Sequence, residues 1–434
     1  MDNIDEVVED GLCTGCGTCV GVCPTSAITM RVSSGLFLPE IKEDMCTRCR
    51  VCLKCCPGYS LDFKRLNSGI FGKQPEDALL GSFLECYVGH SNDDEIRFDS
   101  SSGGIVTQLL VYALEEGLID GALVVRMNKC RPLEPEAFIA RTREEIVSAS
   151  KSKYCPVATN VFLKDILLED GKFAVVGLPC HIHGIRKAET VFEDLKDKIV
   201  LHIGLFCSHT VNFMGTDFLL GKFGVRRDDV AKLDYRGKGW PGFMSVQLKN
   251  GSALNFQFTR GWKAYWNVFS PFLFTPLRCM MCSDQFNELS DISVGDAWLP
   301  ELKGDNLGES VLIARTAVGE AMLAPMENSG VVSLEAVSPG KVKESQAFSL
   351  NFKKENLSGR LSFLRMLGKK TPDIDPKPHS SSLLSLLGAF LPCLSFHVSS
   401  NKRLRSLLLY VPLSLFRIYF GLFMCVFLLS RRRS

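Results

Sequence analysis

The chain has 434 residues, 46% of them hydrophobic, enough for a large core and more than one domain. Fifty basic and 48 acidic side chains leave a net charge of only +2, so no overall field points to nucleic acid. The charge is uneven: residues 1–60 carry eight acidic and five basic side chains, whereas residues 381–434 carry seven basic ones and no acid.

Nine of the 18 cysteines fall in the first sixty residues. The start, MDNIDEVVEDG, is acidic and lacks the basic start and apolar run of a signal peptide. The cysteines therefore read as thiolate ligands in a reducing cytosol rather than as disulfides. They come in two runs of identical spacing. Cys13, Cys16, Cys19 and Cys23 precede Pro24; Cys46, Cys49, Cys52 and Cys56 precede Pro57. Both runs are C-x2-C-x2-C-x3-C-P, the ligand run of bacterial iron–sulfur domains. Two-residue gaps let three thiolates on one tight loop reach three corners of a cubane, and the fourth cysteine crosses to the other cluster. The spacing assigns one [4Fe–4S] cluster to Cys13, Cys16, Cys19 and Cys56 and the other to Cys46, Cys49, Cys52 and Cys23. Structural zinc is the competing use of such pairs, though it rarely needs a third cysteine in register. Cys55 offers another fourth ligand one residue early; the Pro57 register favours Cys56. The stretch AITMRVSSGLFLPEI between the runs alternates enough for a small hairpin.

The remaining chain divides by composition. Residues 1–62 form the ferredoxin-type unit. Residues 63–80 show no sustained periodicity and read as a linker. Residues 81–350 alternate helix-like runs (GGIVTQLLVYALEEG, EEIVSAS, NVFLKDILLEDG) with strand-like ones (GALVVRM, KFAVVGLP, KIVLHIGLFC, SVQLKN, ALNFQF, DISVGD, SVLIART). Residues 351–382 are polar and bear Pro and Ser, a second linker. Residues 383–434 form an apolar tail. The expected fold is an α+β ferredoxin-like N-terminal domain, a mixed α/β core, and a helical, membrane-associating tail.

Within the core, FDSSSGGIVTQLL sets Ser100, Ser101, Ser102, Gly103 and Gly104 just before an apolar helix. Backbone N–H groups there make an anion seat; an ordinary serine N-cap is the bland alternative. Lys151 and Lys153 lie in KSKYCPV. Cys180 follows one strand in VVGLPCHIHGIRK, Cys207 follows the next in GLFCSHT, and Cys279 and Cys282 stand in LRCMMC. Four thiolates on strand-end loops suit one more metal centre, since α/β proteins place their sites there. A buried apolar thiol is the alternative for each.

Taken in order, SSSGG…T, SKY, G-L-P-C-H, F-C-S-H and R-C-x-x-C…D-I-S-V-G-D-A-W resemble the coenzyme F420 hydrogenase/dehydrogenase beta-subunit family over roughly 81–300. The resemblance implies FAD beside a third [4Fe–4S] cluster, and hydride exchange with coenzyme F420. It places the flavin-phosphate role on Ser101, Ser102, Gly103, Gly104 and Thr107, with Lys153 as a further FAD contact. It places the core cluster on Cys180, Cys207, Cys279 and Cys282, with Cys155 a substitute. Around these, His181, His183, His202 and His209 are either relay groups or satisfied loop histidines. Asp296 and Trp298 shape the core or the cofactor pocket. Arg236 and Lys238 in YRGKGWPGF either meet an anionic substrate or form an exposed basic turn.

In the tail, LLLYVPLSLFRIYFGLFMCVFLL at 407–429 matches the roughly 20 helical residues that cross a bilayer core. Arg417 sits at its midpoint, costly in lipid. Basic residues flank both ends: Lys402, Arg403 and Arg405 before, Arg431, Arg432 and Arg433 behind. They select no outward end and leave spanning, a hairpin and an in-plane anchor open, with a helical pair docked on the soluble core as the bland alternative.

The expected function is an oxidoreductase at the cytoplasmic face of the membrane. It would oxidise reduced F420 through FAD and pass single electrons along [4Fe–4S] clusters to a membrane carrier, partner complex or ferredoxin, with no nucleic acid involved. Two alternatives stand beside it: a related reductase with another donor or acceptor, and a non-catalytic electron-relay subunit. No acid/base catalyst is identifiable.

Overall fold

The computed structural model describes residues 3–259, 261–375 and 383–430. Arg431, Arg432 and Arg433, expected as the basic flank of the tail, lie outside the described residues.

The N-terminal unit is small. Strands β1 (Ile28–Ser33) and β2 (Leu36–Ile41) pair as an antiparallel hairpin. Its two-residue turn, Ser34–Gly35, has both φ values positive, the geometry that matches strand twist. The two cysteine runs lie either side of it, each leading into a single helical turn, Thr18–Gly21 and Val51–Cys55. A short strand β3 (Ser60–Asp62) follows. Residues 63–80, expected as a linker, hold the helix Phe63–Phe71, started by Asp62 accepting from the Arg65 N–H and ended by Gly72 at φ +69. Its Phe63 and Leu66 pack against Leu61, Leu163 and Ile182.

The central sheet has eight strands. In chain order these are β4 (Glu85–Ser91), β5 (Gly121–Met127), β6 (Pro135–Ala140), β7 (Phe173–Gly177), β8 (Ile199–Leu205), β12 (Ile292–Asp296), β13 (Ser310–Ala314) and β14 (Val332–Ala336). Inserted after β8 is a three-stranded antiparallel sheet of β9 (Val230–Asp234), β10 (Phe243–Leu248) and β11 (Ala253–Gln257). The central order is β14–β4–β13–β12–β8–β7–β5–β6. Neighbours among β12, β8, β7 and β5 are parallel, and the flanking pairs are antiparallel.

Side-chain alternation splits the sheet between two cores. Ala122, Val124 and Ala174 pack on one face with the helix Ile105–Glu115 and with Leu323 and Met326 of Ala317–Asn328. Leu123, Phe173 and Val175 pack on the other with Ile182 and Ile185 of Pro179–Glu189. Cys180 and Cys207 thereby follow the carboxyl ends of adjacent parallel strands.

Of residues 351–382, expected as a second linker, those to Asp375 are structured and 376–382 lie outside the described residues. They hold a π-helix, Asn351–Glu355, the helix Leu357–Met366, and β15 (Asp373–Asp375), which pairs in parallel with β3. The tail folds as helices Leu383–Ser400, Lys402–Leu408 and Leu413–Ser430. Phe416, Phe423 and Phe427 are buried; the Phe274 N–H donates to Ser399 Oγ (2.9 Å).

One buried cation ties the first sheet elements to the last. Arg315, 2% exposed, donates to Ser293 Oγ and to the carbonyls of Leu80, Ser82 and Phe286. Replacing Arg315 by Met should orphan those buried acceptors and cost about 3–5 kcal/mol, read as a lowered urea midpoint.

Candidate functional site

The two ligand runs fold as near copies. Gly15 and Gly17 of the first correspond to Arg48 and Arg50 of the second, and all four have positive φ. That conformation bends each loop so that successive cysteines turn inward. A Cβ at Gly15 would stand 2.9 Å from the Phe37 carbonyl, and one at Gly17 2.8 Å from Val161 Cγ1. The first loop is packed against the rest of the protein and needs glycine. The second is exposed, so arginine fits despite the backbone cost of about 1 kcal/mol.

Thiols from different runs meet. Burial pushes the Cys13 and Cys19 thiols up, and the neighbouring thiols push further: Cys56 and Cys16 beside Cys13, and Cys13, Cys16, Cys56 and Cys52 beside Cys19. Cys52 is raised by burial and by Cys49, Cys23 and Cys46. Each group of four is thus three cysteines of one run and the last of the other. Cys56, pushed up to about 11 by burial and by Cys16, stands with the first group. Cys55 is fully buried among Leu61, Phe63 and Ile182.

A second thiol set lies in the core. Cys180 opens the helix after β7; the Cys207 N–H, after β8, donates to the Gln285 carbonyl (3.0 Å). Cys279 and Cys282 flank one turn, the Cys282 N–H donating to the Cys279 carbonyl. All four line one cavity with Cys13, Cys155 and Lys353. The cavity measures about 60 Å³, several times the roughly 10–15 Å³ that one water requires. Burial raises Cys180 strongly, with Cys16, Cys279, Cys207 and Cys282 adding to it, and raises Cys207 to about 12. Burial would raise Cys282 too, but Lys353 and Arg278 beside it bring it below its ordinary value. Among the described residues no three His, Cys, Asp or Glu side chains converge tightly enough to hold a single metal ion. The donors are soft thiols spaced around a void, which suits a multi-iron cluster better than one ion.

The two thiol regions are clamped together by buried groups. Asn160, wholly buried, takes its amide N–H to the Cys16 carbonyl (2.9 Å) and its side-chain NH2 to Thr18 Oγ1 (2.8 Å) and the His181 carbonyl (2.9 Å). Lys187 donates to the Cys56 and Ser60 carbonyls. Arg278 donates to Pro57 and Gly58.

The serine–glycine loop begins the helix Ile105–Glu115. Gly104 is left-handed (φ +79) and no side chain caps the first turn, so its leading N–H groups lack intrahelical partners. Gly103 is fixed by close packing, since a Cβ would lie 2.5 Å from the Gly89 carbonyl. Ser102 Oγ meets Ser310 Oγ (2.9 Å), and Ser101 Oγ accepts from the Ser152 N–H (2.8 Å). Thr107 is buried in the same helix. This donor-rich loop fits an anionic phosphate. Lys153 is turned elsewhere: its Nζ donates to the carbonyls of Ala149, Ser150 and Lys151, and burial lowers it to about 7.

The surrounding residues mostly serve the scaffold. Arg236 is 1% exposed, bound through both terminal nitrogens to Asp296 (2.6 and 2.9 Å), and lies over Phe258 and Trp298. It is no exposed turn residue, and its charge is already met; Lys238 is exposed. The four histidines are satisfied. His181 donates from Nε2 to the Val157 carbonyl, and burial holds it down at about 4; His209 meets the Phe269 carbonyl. His183 pairs with Asp284 (2.7 Å), and His202 with Glu189 and Asp291.

Fold and site define an iron–sulfur oxidoreductase. Residues 12–58 match the 4Fe-4S dicluster domain; residues 86–164 and 170–340 match the N-terminal and C-terminal models of the coenzyme F420 hydrogenase/dehydrogenase beta subunit. The chain is 31% identical to the coenzyme F420 hydrogenase subunit beta of Methanothermobacter thermautotrophicus, over 60% of this chain and 89% of that one. The F420-dependent sulfite reductase of Methanocaldococcus jannaschii is 29% identical over 81% of this chain, which spans about half (51%) of that longer protein. A solved chain of the F420-reducing [NiFe] hydrogenase complex from Methanosarcina barkeri superposes with a TM-score of 0.53 at 25% identity, covering 69% of this chain and 99% of that one. The chain belongs to the coenzyme F420 hydrogenase/dehydrogenase beta-subunit family and is an oxidoreductase of that type.

The cysteine assignment separates two neighbours. Cys56→Ala should remove about four irons per chain. Cys55→Ala should keep the iron and cost about 1 kcal/mol of packing. Iron and acid-labile sulfide assays on oxygen-free protein read the difference.

Proposed function

We propose that the chain oxidises reduced coenzyme F420 at FAD and passes the electrons singly through three [4Fe–4S] clusters to a partner complex, membrane carrier or ferredoxin. The observation that carries this reading is the shared cavity, in which Cys13 of the dicluster region faces Cys180, Cys207, Cys279 and Cys282. Cys16 also stands close enough to Cys180 to act on its charge. Adjacent thiol cages suit electron passage and serve no purpose in a hydrolytic site. When bound, a flavin accepts a hydride as an electron pair and releases the electrons singly, which is the conversion that one-electron clusters need.

The chain's own part is positioning and exclusion of water. Cys13, Cys16, Cys19 and Cys56 would hold one cluster, Cys23, Cys46, Cys49 and Cys52 the second, and the four core cysteines the third. Ser101, Ser102, Gly103, Gly104 and Thr107 would seat the flavin phosphates at the open helix start. Asn160, Lys187 and Arg278 keep residues 1–62 seated on the 81–350 core, so the cages hold their spacing. Relatives named as subunits, and the solved complex, support work within a larger assembly. The relay-subunit reading draws on Lys153, whose ammonium is committed to three backbone carbonyls rather than to a ligand.

Protein purified without oxygen should hold FAD and about twelve irons, and reduced F420 should bleach its cluster absorption. Bound iron without flavin, and no bleaching, would favour the relay subunit.

The tail supports attachment at the cytoplasmic face of a membrane, lying flat. Leu413–Ser430 has a mean hydropathy of 2.0 and is 22% buried. Phe416, Phe423 and Phe427 dock on the core, while Leu415, Ile418, Leu422 and Leu429 are at least 48% exposed. Arg417 donates to Asn267 Oδ1 (3.4 Å), so the mid-helix charge is engaged by the protein. A helix with one face bound to protein offers lipid only the other. Lys402 and Arg403, both exposed, supply charge for anionic headgroups. The full chain should sediment with phosphatidylserine-containing vesicles. The Leu415→Glu/Leu422→Glu variant should lose roughly tenfold or more of that binding with iron content unchanged; undiminished sedimentation would reject the in-plane face.

A further inference from the structure

The core cavity contains a cation that no carboxylate answers. Lys353 is 1% exposed and lines the cavity beside the four core thiols. Its ammonium stands next to the Cys282 sulfur, with those of Cys207 and Cys279 following. Its sequence neighbour Lys354 pairs with Glu288 (2.5 Å). Lys353 has no such carboxylate among the described residues. It is presented by the π-helix Asn351–Glu355, a form that recurs at functional positions. It also lies beyond residue 340, where the family match ends.

An isolated ammonium in a dry interior is strongly disfavoured unless negative charge stands opposite. Among the described residues the groups that favour its charge are the Cys282, Cys207 and Cys279 sulfurs, while the nearby carboxylate of Asp284 is taken by His183 (2.7 Å), so the lysine is matched to an anionic cluster. Lysine stays protonated in that setting and cannot itself ligate iron.

We propose that Lys353 tunes the reduction potential of the core cluster, its ammonium stabilising the reduced state over the oxidised one. The inference rests on the reading of Cys180, Cys207, Cys279 and Cys282 as the ligands of a third cluster. Reduction adds one electron, and with it one more negative charge, to a buried site. Burial opposes that charge and a fixed cation at the thiolates favours it. Removing the cation must therefore lower the potential, making the core site a poorer electron acceptor.

The test is an EPR-monitored redox titration of the full-length, oxygen-free protein with dithionite as reductant. The core signal is the one that Cys279→Ser alters, and the dicluster signals serve as internal references. At the potential where the wild-type core site is half reduced, Lys353→Met should lower its reduced-to-oxidised ratio at least tenfold, about 59 mV for a one-electron couple. Lys353→Arg should stay within about threefold of wild type, because it keeps the charge, and the dicluster potentials should not move. Lys353→Gln, which keeps a polar head in the same space, replaces the Met variant if that one loses iron. Full iron with an unchanged ratio in the neutral variants overturns the inference. Loss of about four irons from the neutral and Arg variants alike also overturns it, since Lys353 would then be part of the cage rather than a tuner of it. A wild-type protein with only the dicluster irons would remove the third-cluster reading first, and this inference with it.

Discussion

Twelve thiols in two neighbouring regions of one protein pose an electrostatic problem that dictates much of the rest. A thiolate is the metal-binding form, yet burial and neighbouring thiols raise Cys13, Cys19, Cys56, Cys180 and Cys207 above the ordinary thiol range. Left to themselves these groups would stay protonated. Metal binding has to displace the protons, and the folded chain supplies the preformed cages that make the exchange favourable. Cations soften the repulsion where the cages meet the core: Arg278 and Lys353 around Cys282, and Lys187 near Cys56. These residues come from three separate parts of the chain, so the site exists only once the whole fold is assembled.

The same constraint explains why the sheet and the dicluster unit are joined so tightly. Asn160 spans them with three hydrogen bonds, and small residues allow the approach. A Cβ at Gly21 would lie 2.2 Å from the Asn160 carbonyl, and one at Gly184 2.1 Å from Thr18 Oγ1. Glycine at these two positions is a packing requirement alone, whereas Gly15 and Gly17 combine close packing with positive φ. Exposure differs among the cages. Cys16, Cys19 and Cys56 are buried and the four core cysteines half-buried, whereas Cys49 is exposed on the outer loop. The core set also faces the buried ammonium of Lys353, and the outer loop faces water.

Some of this was legible in the sequence because it is local. The doubled cysteine spacing, the hairpin between the runs and the strand-like segments GALVVRM, KFAVVGLP and DISVGD depend on short-range pattern, and each appears where the pattern puts it. What escaped was non-local. The stretch 63–80 looked like a linker because Gly69 and few apolar residues blur its period; its helix is held by docking of Phe63 and Leu66. Asp62 and Gly72, ten residues apart and placed as start and stop signals, were the available clue. In 351–382, β15 forms only because β3, some three hundred residues earlier, is there to pair with it. Lys353 had no signal at all, being one lysine in a polar run whose surroundings are set by cysteines far away in sequence. Arg236 was misleading for the opposite reason: a Gly-rich context suggested exposure, while Asp296, on another strand, buries it.

The tail shows how far composition goes. Apolar length alone cannot tell a spanning helix from one that lines a protein surface, because both need a long hydrophobic stretch. The spacing of Phe416, Phe423 and Phe427 is seven and then four residues, which puts three large aromatic rings on one helical face. Phe416 reaches Phe218 at 5.9 Å, and Phe423 reaches Phe272 at 5.7 Å. Those rings belong to the protein interior. Leucine and isoleucine dominate the opposite, exposed face. The asymmetry, rather than the hydropathy, is therefore the informative feature of residues 413–430: one face belongs to the protein core, and the other is left apolar and uncovered.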